Sequence, residues 1–263
     1  MISVTVCTHN RLAYLKSALA SVYRQSFRDF EVVVVDDGST DATAAWIRAR
    51  RFPRLRFFRF ERNRGLAAAR NESLREARGD LIAFLDSDDL YYPAYLGRMA
   101  AAFDDPRIMV AASHSDKIDG EGRTVPRAAA ARRESRLAWF RDATGLPFPV
   151  GFSMVMLRKR IFSEVGAFDE GFHMVGEDID LLYRVGLRFG KEAFRYIEEP
   201  LMAHREHGGA RMTDSWRRHA AVGPGARRRR APLTGLSALE EKSAVDLAYF
   251  GVKHGLRAAE GGK

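Results

Sequence analysis

Asp86, Asp88 and Asp89 stand within four residues, directly after the apolar run at 81–85, in the stretch AFLDSDDLYYP. Carboxylates this close repel one another unless positive charge sits among them. One aspartate at such a turn is ordinary, because Asp closes loops and starts helices; three exceed that need. Hard oxygen donors suit Mg2+ or Mn2+. Two carboxylates do not cage such a cation, which keeps waters and takes phosphate oxygens from a ligand. A second acidic pair, Asp36–Asp37, ends the run VVVV and leads into Gly38, Ser39 and Thr40. An aspartate at the carboxyl end of a strand can bind ribose hydroxyls or a base N–H. Glu177 and Asp178 open a helical pattern in VGEDIDLLYR. Capping explains that pair as readily as chemistry does, since a helix N-terminus favours negative charge. Facing a cleft, Asp178 is a candidate general base for an acceptor hydroxyl. Finally, AHREHGGARMT sets His207 beside two glycines, with Arg205 and Arg211 near. A single histidine is more often structural than a ligand, but arginine forks suit diphosphate.

The elements that must position these groups are legible in the hydrophobic pattern. Strands are predicted at 2–7, 31–35, 55–60, 81–85 and 108–112, and helices at 12–23, 41–49, 66–77 and 93–103. EVVVV shows no alternation, which predicts a strand covered on both faces. Regular β/α alternation predicts an α/β fold with a doubly wound, mostly parallel sheet flanked by helices. Ligands bind such sheets beyond the carboxyl ends of the strands. The polar clusters at 8–11, 36–40 and 86–89 all fall there, which points to one shared site. The second half is less regular: a loop-rich stretch at 116–147 with a helix near 135–142, a strand at 152–157, helices at 159–165 and 177–189, and a strand at 193–197. GPGARRRRAP then reads as an exposed basic linker before an amphipathic helix at 237–256.

The totals bound the function. A chain of 263 residues, 46% hydrophobic and 29% charged, fits one α/β domain or two closely packed halves. Its 43 basic and 34 acidic residues give a net charge of +9, which favours anionic partners. Cys7 stands alone, so no internal disulfide forms, which fits a reducing compartment. MISVTVCTHN lacks the basic start and apolar core of a signal peptide, and no run approaches the ~20 apolar residues of a membrane span. The expectation is a cytoplasmic protein, able to sit peripherally on the inner face of the cell membrane. THNR stands where a Rossmann enzyme has GxGxxG, and no GxxxxGK[ST] is present, which excludes a P-loop NTPase. The arginines at 227–230 lack an aromatic platform or recognisable motif, so no nucleic-acid partner is expected. Such a run is a solvated segment or a contact for anionic lipid.

Taken in order, the segments SVTVCTHNR, VVVVDDGSTD, NRGLAAARNESLREARGDLIAFLDSDD, the later ED pair and R-x-H-G-G resemble the family 2 glycosyltransferases of GT-A fold. The resemblance spans residues 1–213. It implies a catalytic domain at 1–215, with a nucleotide-sugar-binding half at 1–115 and an acceptor half at 116–215, and a basic, helical extension at 216–263. It implies an inverting transfer from a nucleotide sugar to a saccharide or lipid-linked saccharide. Thr8, Asn10, Arg11 and Asp37 would form the nucleotide pocket, with Asp37 on the base, usually uracil. Asp86, Ser87 and Asp88 match the DxD motif, Asp86 leaning towards ribose and Asp88 holding Mn2+ or Mg2+ on the diphosphate. Gly65 and Arg70 fall where the family wraps the donor, and Arg205 lies near its diphosphate. Asp178 matches the catalytic base, with Glu177 beside it, and His207 a residue closing on the metal. The family usually carries Pro-Thr-Tyr-Asn where this chain has Cys7-Thr8-His9-Asn10, so His9 replaces the stacking aromatic. Residues 116–150 match no motif, and acceptor choice is expected there. A nucleotidyltransferase would need a glycine-rich phosphate loop near the N-terminus. A decayed, binding-only protein would not keep all these acids.

Overall fold

A computed structural model describes residues 1–125, 145, 151–172 and 176–206. The helices expected at 135–142 and 237–256, the arginine run and His207 lie outside the described residues.

The first half follows the expected alternation: β1 (Ile2–Thr8), α1 (Leu12–Tyr23), β2 (Phe30–Asp36), α2 (Thr43–Arg48), β3 (Leu55–Arg59), α3 (Leu66–Glu76) and β4 (Leu81–Asp86). A short β5 (Leu90–Tyr91) and α4 (Tyr95–Ala101) follow, then β6 (Val110–Ile118), β7 (Val155–Arg158), α5 (Ile161–Val165), α6 (Glu177–Phe189) and β8 (Phe194–Arg205). They form one sheet in the order β3-β2-β1-β4-β7-β6-β8-β5. β1, β2, β3 and β4 pair in parallel, as do β6 and β8, whereas β7 and β5 run against their neighbours.

The core explains the unbroken valine run. Val32 and Val34 pack with Leu15, Leu19, Val22 and Ile47 under α1 and α2, while Val33 and Val35 face Ala69 of α3 on the other side. Each face of β2 is thus dry, as a strand covered by two helical layers requires. α5 and α6 extend the second layer through Ile161, Leu181, Leu182 and Val185 against Ile82, Phe84 and Leu157.

Several boundaries differ from expectation for local reasons. The strand expected at 152–157 begins as a 3-10 turn, Phe152–Met154, and only then enters the sheet. β6 and β8 run well beyond 112 and 197. They pair along Val110–Ile118, with register shifts around His114 that absorb Pro200, and the polar run SHSDK hid this pairing in the sequence. α2 starts at Thr43 because the Asp41 carboxylate accepts the Thr43 N–H at 2.9 Å. Gly38 has φ +72, and a Cβ there would lie 2.4 Å from the carbonyl carbon of Arg62, so the 36–40 turn and the 62–65 loop meet only over a glycine. Among the described residues no helix is long and apolar enough to cross a membrane.

Candidate active site

The ends of β1 and β2 are knitted into one platform. Asn10 adopts φ 53, a conformation Asn tolerates better than most residues. Its Oδ1 then accepts the Thr40 and Asp41 N–H groups at 2.7 and 3.2 Å, and its own N–H donates to Ser39 Oγ at 2.8 Å. Asp37 is buried, with its carboxylate accepting the N–H groups of Arg64 (2.6 Å) and Gly65 (3.0 Å). His9 Nδ1 sits 2.8 Å from the Asp37 carbonyl. That oxygen only accepts, so Nδ1 carries the proton and Nε2 accepts from the Asn10 amide at 3.2 Å. The ring is thereby held at the mouth of the platform. Gly65, at φ +95, starts α3, and among the described residues nothing lies within 4 Å of where its Cβ would be. Asn10 and Asp37, expected to touch nucleotide, thus also fasten the loops that would surround it. Thr8 is 4% exposed, and its Oγ1 has no hydrogen-bond partner among the described residues.

Arg70 is the hub below. From α3 its Nη1 donates to Glu177 Oε1 at 2.6 Å and its Nη2 to Asp86 Oδ1 at 3.1 Å, while the guanidinium lies over the rings of Phe152 (4.9 Å) and Phe168 (5.6 Å). One buried cation therefore ties the end of β4 to the start of α6. Asn71, its neighbour, fixes the segment before α6: Nδ2 donates to the Phe168 carbonyl and Oδ1 accepts the Phe168 N–H, each at 2.9 Å. Asp178 follows Glu177, and its Oδ1 accepts the Ile179 N–H at 2.7 Å. Arg70 was expected to wrap the donor; its fork is instead occupied by the Glu177 and Asp86 carboxylates.

Three carboxylates around one guanidinium cannot all ionise cheaply in a buried site. Burial, reinforced by the charge of Asp178 and opposed by Arg70, pushes Glu177 up to about 8. Burial also raises Asp178 and Asp86, with Arg70 opposing in both. The Cys7 thiol, raised to about 12 by burial, stays neutral at the floor. The folded chain thus holds a proton on Glu177 that the unfolded chain releases near the usual 4.5, so stability falls as pH rises from there through about 8. Thermal melts between those limits are expected to show this slope, and Glu177→Gln is expected to flatten it. Arg70→Met, which leaves the acids without their cation, is expected to cost about 3–5 kcal/mol in denaturant unfolding.

The acidic loop has its own cations. Arg11 Nη1 pairs with Asp88 Oδ2. Asp89 is 1% exposed and turns inward, accepting the Arg205 N–H at 2.9 Å, with His204 Nδ1 at 3.3 Å. Arg205 corrects an expectation: it is buried, donates from Nε to the Asp88 carbonyl (2.8 Å) and from Nη1 to the carbonyls of Asp119 and Gly120 (2.9 Å each), and stacks over Tyr14. It braces the loop from behind and does not reach towards a diphosphate. Ser87 is likewise buried. Asp86 and Asp88 keep 38% and 20% of their side chains open. Among the described residues no three His, Cys, Asp or Glu side chains cluster to cage a metal. The partly open Asp88 carboxylate is a hard oxygen donor, which fits a Mg2+ or Mn2+ bound chiefly through ligand phosphates and water.

Sequence reasoning left Ser153, Asn71 and His204 without roles. Ser153 Oγ accepts the Asp86 N–H at 3.0 Å. Asn71 and His204 stood inside quoted motifs, ARN and AHREH, but their partners are distant in sequence. A groove of about 780 Å3 opens near the amino-terminal end of β4, lined by Arg75, Asp80, Lys159 and Arg160. Asn71, next to Arg70, lies at its border, and Asp86, Asp88, Glu177 and Asp178 are not among its lining residues.

Residues 3–166 match the family described as glycosyl transferase family 2. The chain is 33% identical over 216 residues to validoxylamine A glucosyltransferase of Streptomyces hygroscopicus subsp. jinggangensis, covering 70% of this chain and 51% of that protein. Two other curated relatives are matched over only 40% and 36% of their length. Among solved structures, S. aureus TarS 1-349 in complex with UDP-GlcNAc superposes with a TM-score of 0.64 at 25% identity, covering 96% of this chain and 72% of that one. The mannosyltransferase PcManGT from Pyrobaculum calidifontis, in complex with GDP-Man and Mn2+, shares the fold at 20% identity with a TM-score of 0.61, covering 100% and 76%.

Proposed function

The chain belongs to glycosyl transferase family 2, and from that premise we propose that it is a glycosyltransferase that moves a sugar from a nucleotide-sugar donor, first a UDP-sugar, to a hydroxyl of a saccharide or lipid-linked acceptor, with inversion and with a divalent cation. The observation that carries the reading is the Arg70 bridge, which sets Asp86 on β4 and the Glu177–Asp178 pair on α6 around a single cation. Donor-side and acceptor-side acids would thereby lie together at the carboxyl end of β4. TarS with UDP-GlcNAc and PcManGT with GDP-Man and Mn2+ support a nucleotide-sugar donor for this architecture.

In this reading the platform of Thr8, Asn10, Arg11 and Asp37, closed by Gly65, holds the nucleoside, with His9 against the base. Asp86 leans towards the ribose, with the buried Ser87 behind it. Asp88 would hold Mn2+ or Mg2+, which would offset the negative charge developing on the departing nucleoside diphosphate. Asp178 takes the acceptor hydroxyl proton, and that oxygen bonds to the anomeric carbon as the carbon–oxygen bond to diphosphate breaks. Burial raises the proton affinity of Asp178 and suits it to a base. Glu177, protonated against Arg70, keeps Asp178 from facing a second full negative charge. His207 would close the site, and residues 116–150 would select the acceptor. The donor half at 1–115 and acceptor half at 116–215 would form one catalytic domain.

The test is a donor panel: purified protein with common UDP-, GDP- and dTDP-sugars, with Mn2+, Mg2+ or EDTA, followed by nucleoside diphosphate release. Metal-dependent release from one donor names the sugar. Release that EDTA leaves unchanged would remove the cation from the reading.

A further inference from the structure

We propose that the flank of the domain formed by α1, α2 and the turns beneath them docks on an anionic lipid surface. The proposal is independent of the donor and of the chemistry at the strand ends. Between residues 12 and 54 the chain carries Lys16, Arg24, Arg28, Arg48, Arg50, Arg51 and Arg54, and every one is exposed. The acids of the same segment do not answer them. Glu31 is buried and held by Ser3 and Arg56, Asp36 and Asp37 are buried at the end of β2, and Asp41 is bonded to the amides of Leu12 and Thr43. Asp29 and Asp41 are the exposed acids of the segment, and Asp29 pairs with the N-terminal ammonium at 3.3 Å as Asp41 does with its two amides. The flank therefore presents a cationic field without interspersed free carboxylates, the condition for attraction to a surface of the opposite sign.

Aromatic rings lie among these charges. Trp46, Phe52 and Tyr23 form a half-buried row, with Trp46 and Phe52 centroids 5.4 Å apart and Phe52 stacked on Tyr23 at 5.7 Å. Lys16 Nζ lies 5.6 Å from the Trp46 ring and the Arg50 guanidinium 4.6 Å from it, while Arg48 sits 5.7 Å from Phe57. Cations anchored on indole and phenyl rings at the surface resemble the belts that settle at lipid headgroups. The same packing disfavours nucleic acid, because rings engaged by cations and by one another offer no free face for base stacking. α1 and α2 start at the carboxyl ends of β1 and β2 and run back along the sheet, so a bilayer against this flank leaves the cleft open at its rim.

The experiment is co-sedimentation of the full chain with phosphatidylcholine vesicles, with and without phosphatidylglycerol. Three proteins are compared: the chain itself, the triple variant Arg48→Gln/Arg50→Gln/Arg51→Gln, and a variant with the arginines at 227–230 changed to Gln. The chain is expected to bind only the anionic vesicles, and salt is expected to release it. The triple variant is expected to lose roughly 100-fold in partitioning, about fivefold per charge, with circular dichroism and vesicle-free donor hydrolysis unchanged. Equal binding by the triple variant, or loss of all binding when only the arginines at 227–230 are changed, overturns the proposal. Binding to neutral vesicles alone overturns it as well. So does tighter binding to an RNA duplex than to anionic vesicles at equal salt, if the triple variant abolishes it.

Discussion

Asp178→Asn is expected to lower sugar transfer by roughly 10²–10⁴-fold, the range for a positioned general base, while donor affinity stays nearly unchanged. The asparagine keeps an oxygen for the Ile179 N–H and removes only the basic site. The acceptor oxygen must then lose its proton to water, within a buried cluster where burial had raised the carboxylate's affinity for it. The variant also removes one negative charge beside Glu177. Raising Glu177 towards about 8 is partly the work of Asp178, so Glu177 should titrate lower in the variant. Single-turnover transfer and equilibrium donor binding, measured side by side, separate the roles. Weak donor binding by Asp178→Asn would make Asp178 a structural residue.

Asp88→Asn is expected to abolish transfer and to remove the metal dependence of nucleotide binding. Asp88 is partly open, and its protein partner on that side is Arg11, itself exposed and able to swing to a phosphate. A cation and a diphosphate can replace that ion pair without moving the backbone, because the loop is held from behind by Arg205 on the Asp88 carbonyl and by Asp89 on the Arg205 amide. Asp89→Asn is the control. It should melt earlier, having lost a buried charge held against His204, and should keep metal-dependent binding in the folded fraction. Calorimetric titration of UDP with Mn2+ or EDTA distinguishes the two variants. Equal metal dependence in Asp88→Asn and the parent would place the cation elsewhere.

The layered fold was legible because its signals are local. The EVVVV run states that β2 is covered on both faces, and Val32–Val35 divide between two helical layers accordingly. The nearness of 8–11, 36–40 and 86–89 followed from the rule for parallel strand ends: His9 and Asn10 bond to the 37–40 turn, and Arg11 pairs with Asp88. Illegible was whatever depends on contacts distant in sequence. Arg70 reaches Glu177 across 107 positions, and no composition or spacing announces that bond. Arg205 looked like a phosphate ligand because guanidinium forks suit phosphates, but a fork serves backbone carbonyls equally well once a turn such as 119–120 presents them. β7 inserts antiparallel between β4 and β6 because its partners are set by the return path of the chain, which periodicity does not encode.

The most direct measurement is the anomalous scattering of Mn2+ in crystals soaked with UDP and a manganese salt. The account predicts one strong peak about 2.1 Å from an Asp88 oxygen, the bonding distance of a small hard cation. Diphosphate oxygens should complete its shell, and Arg11 should have turned away from the carboxylate. A peak remote from Asp88, or ordered UDP in the cleft with no peak beside it, would contradict the account.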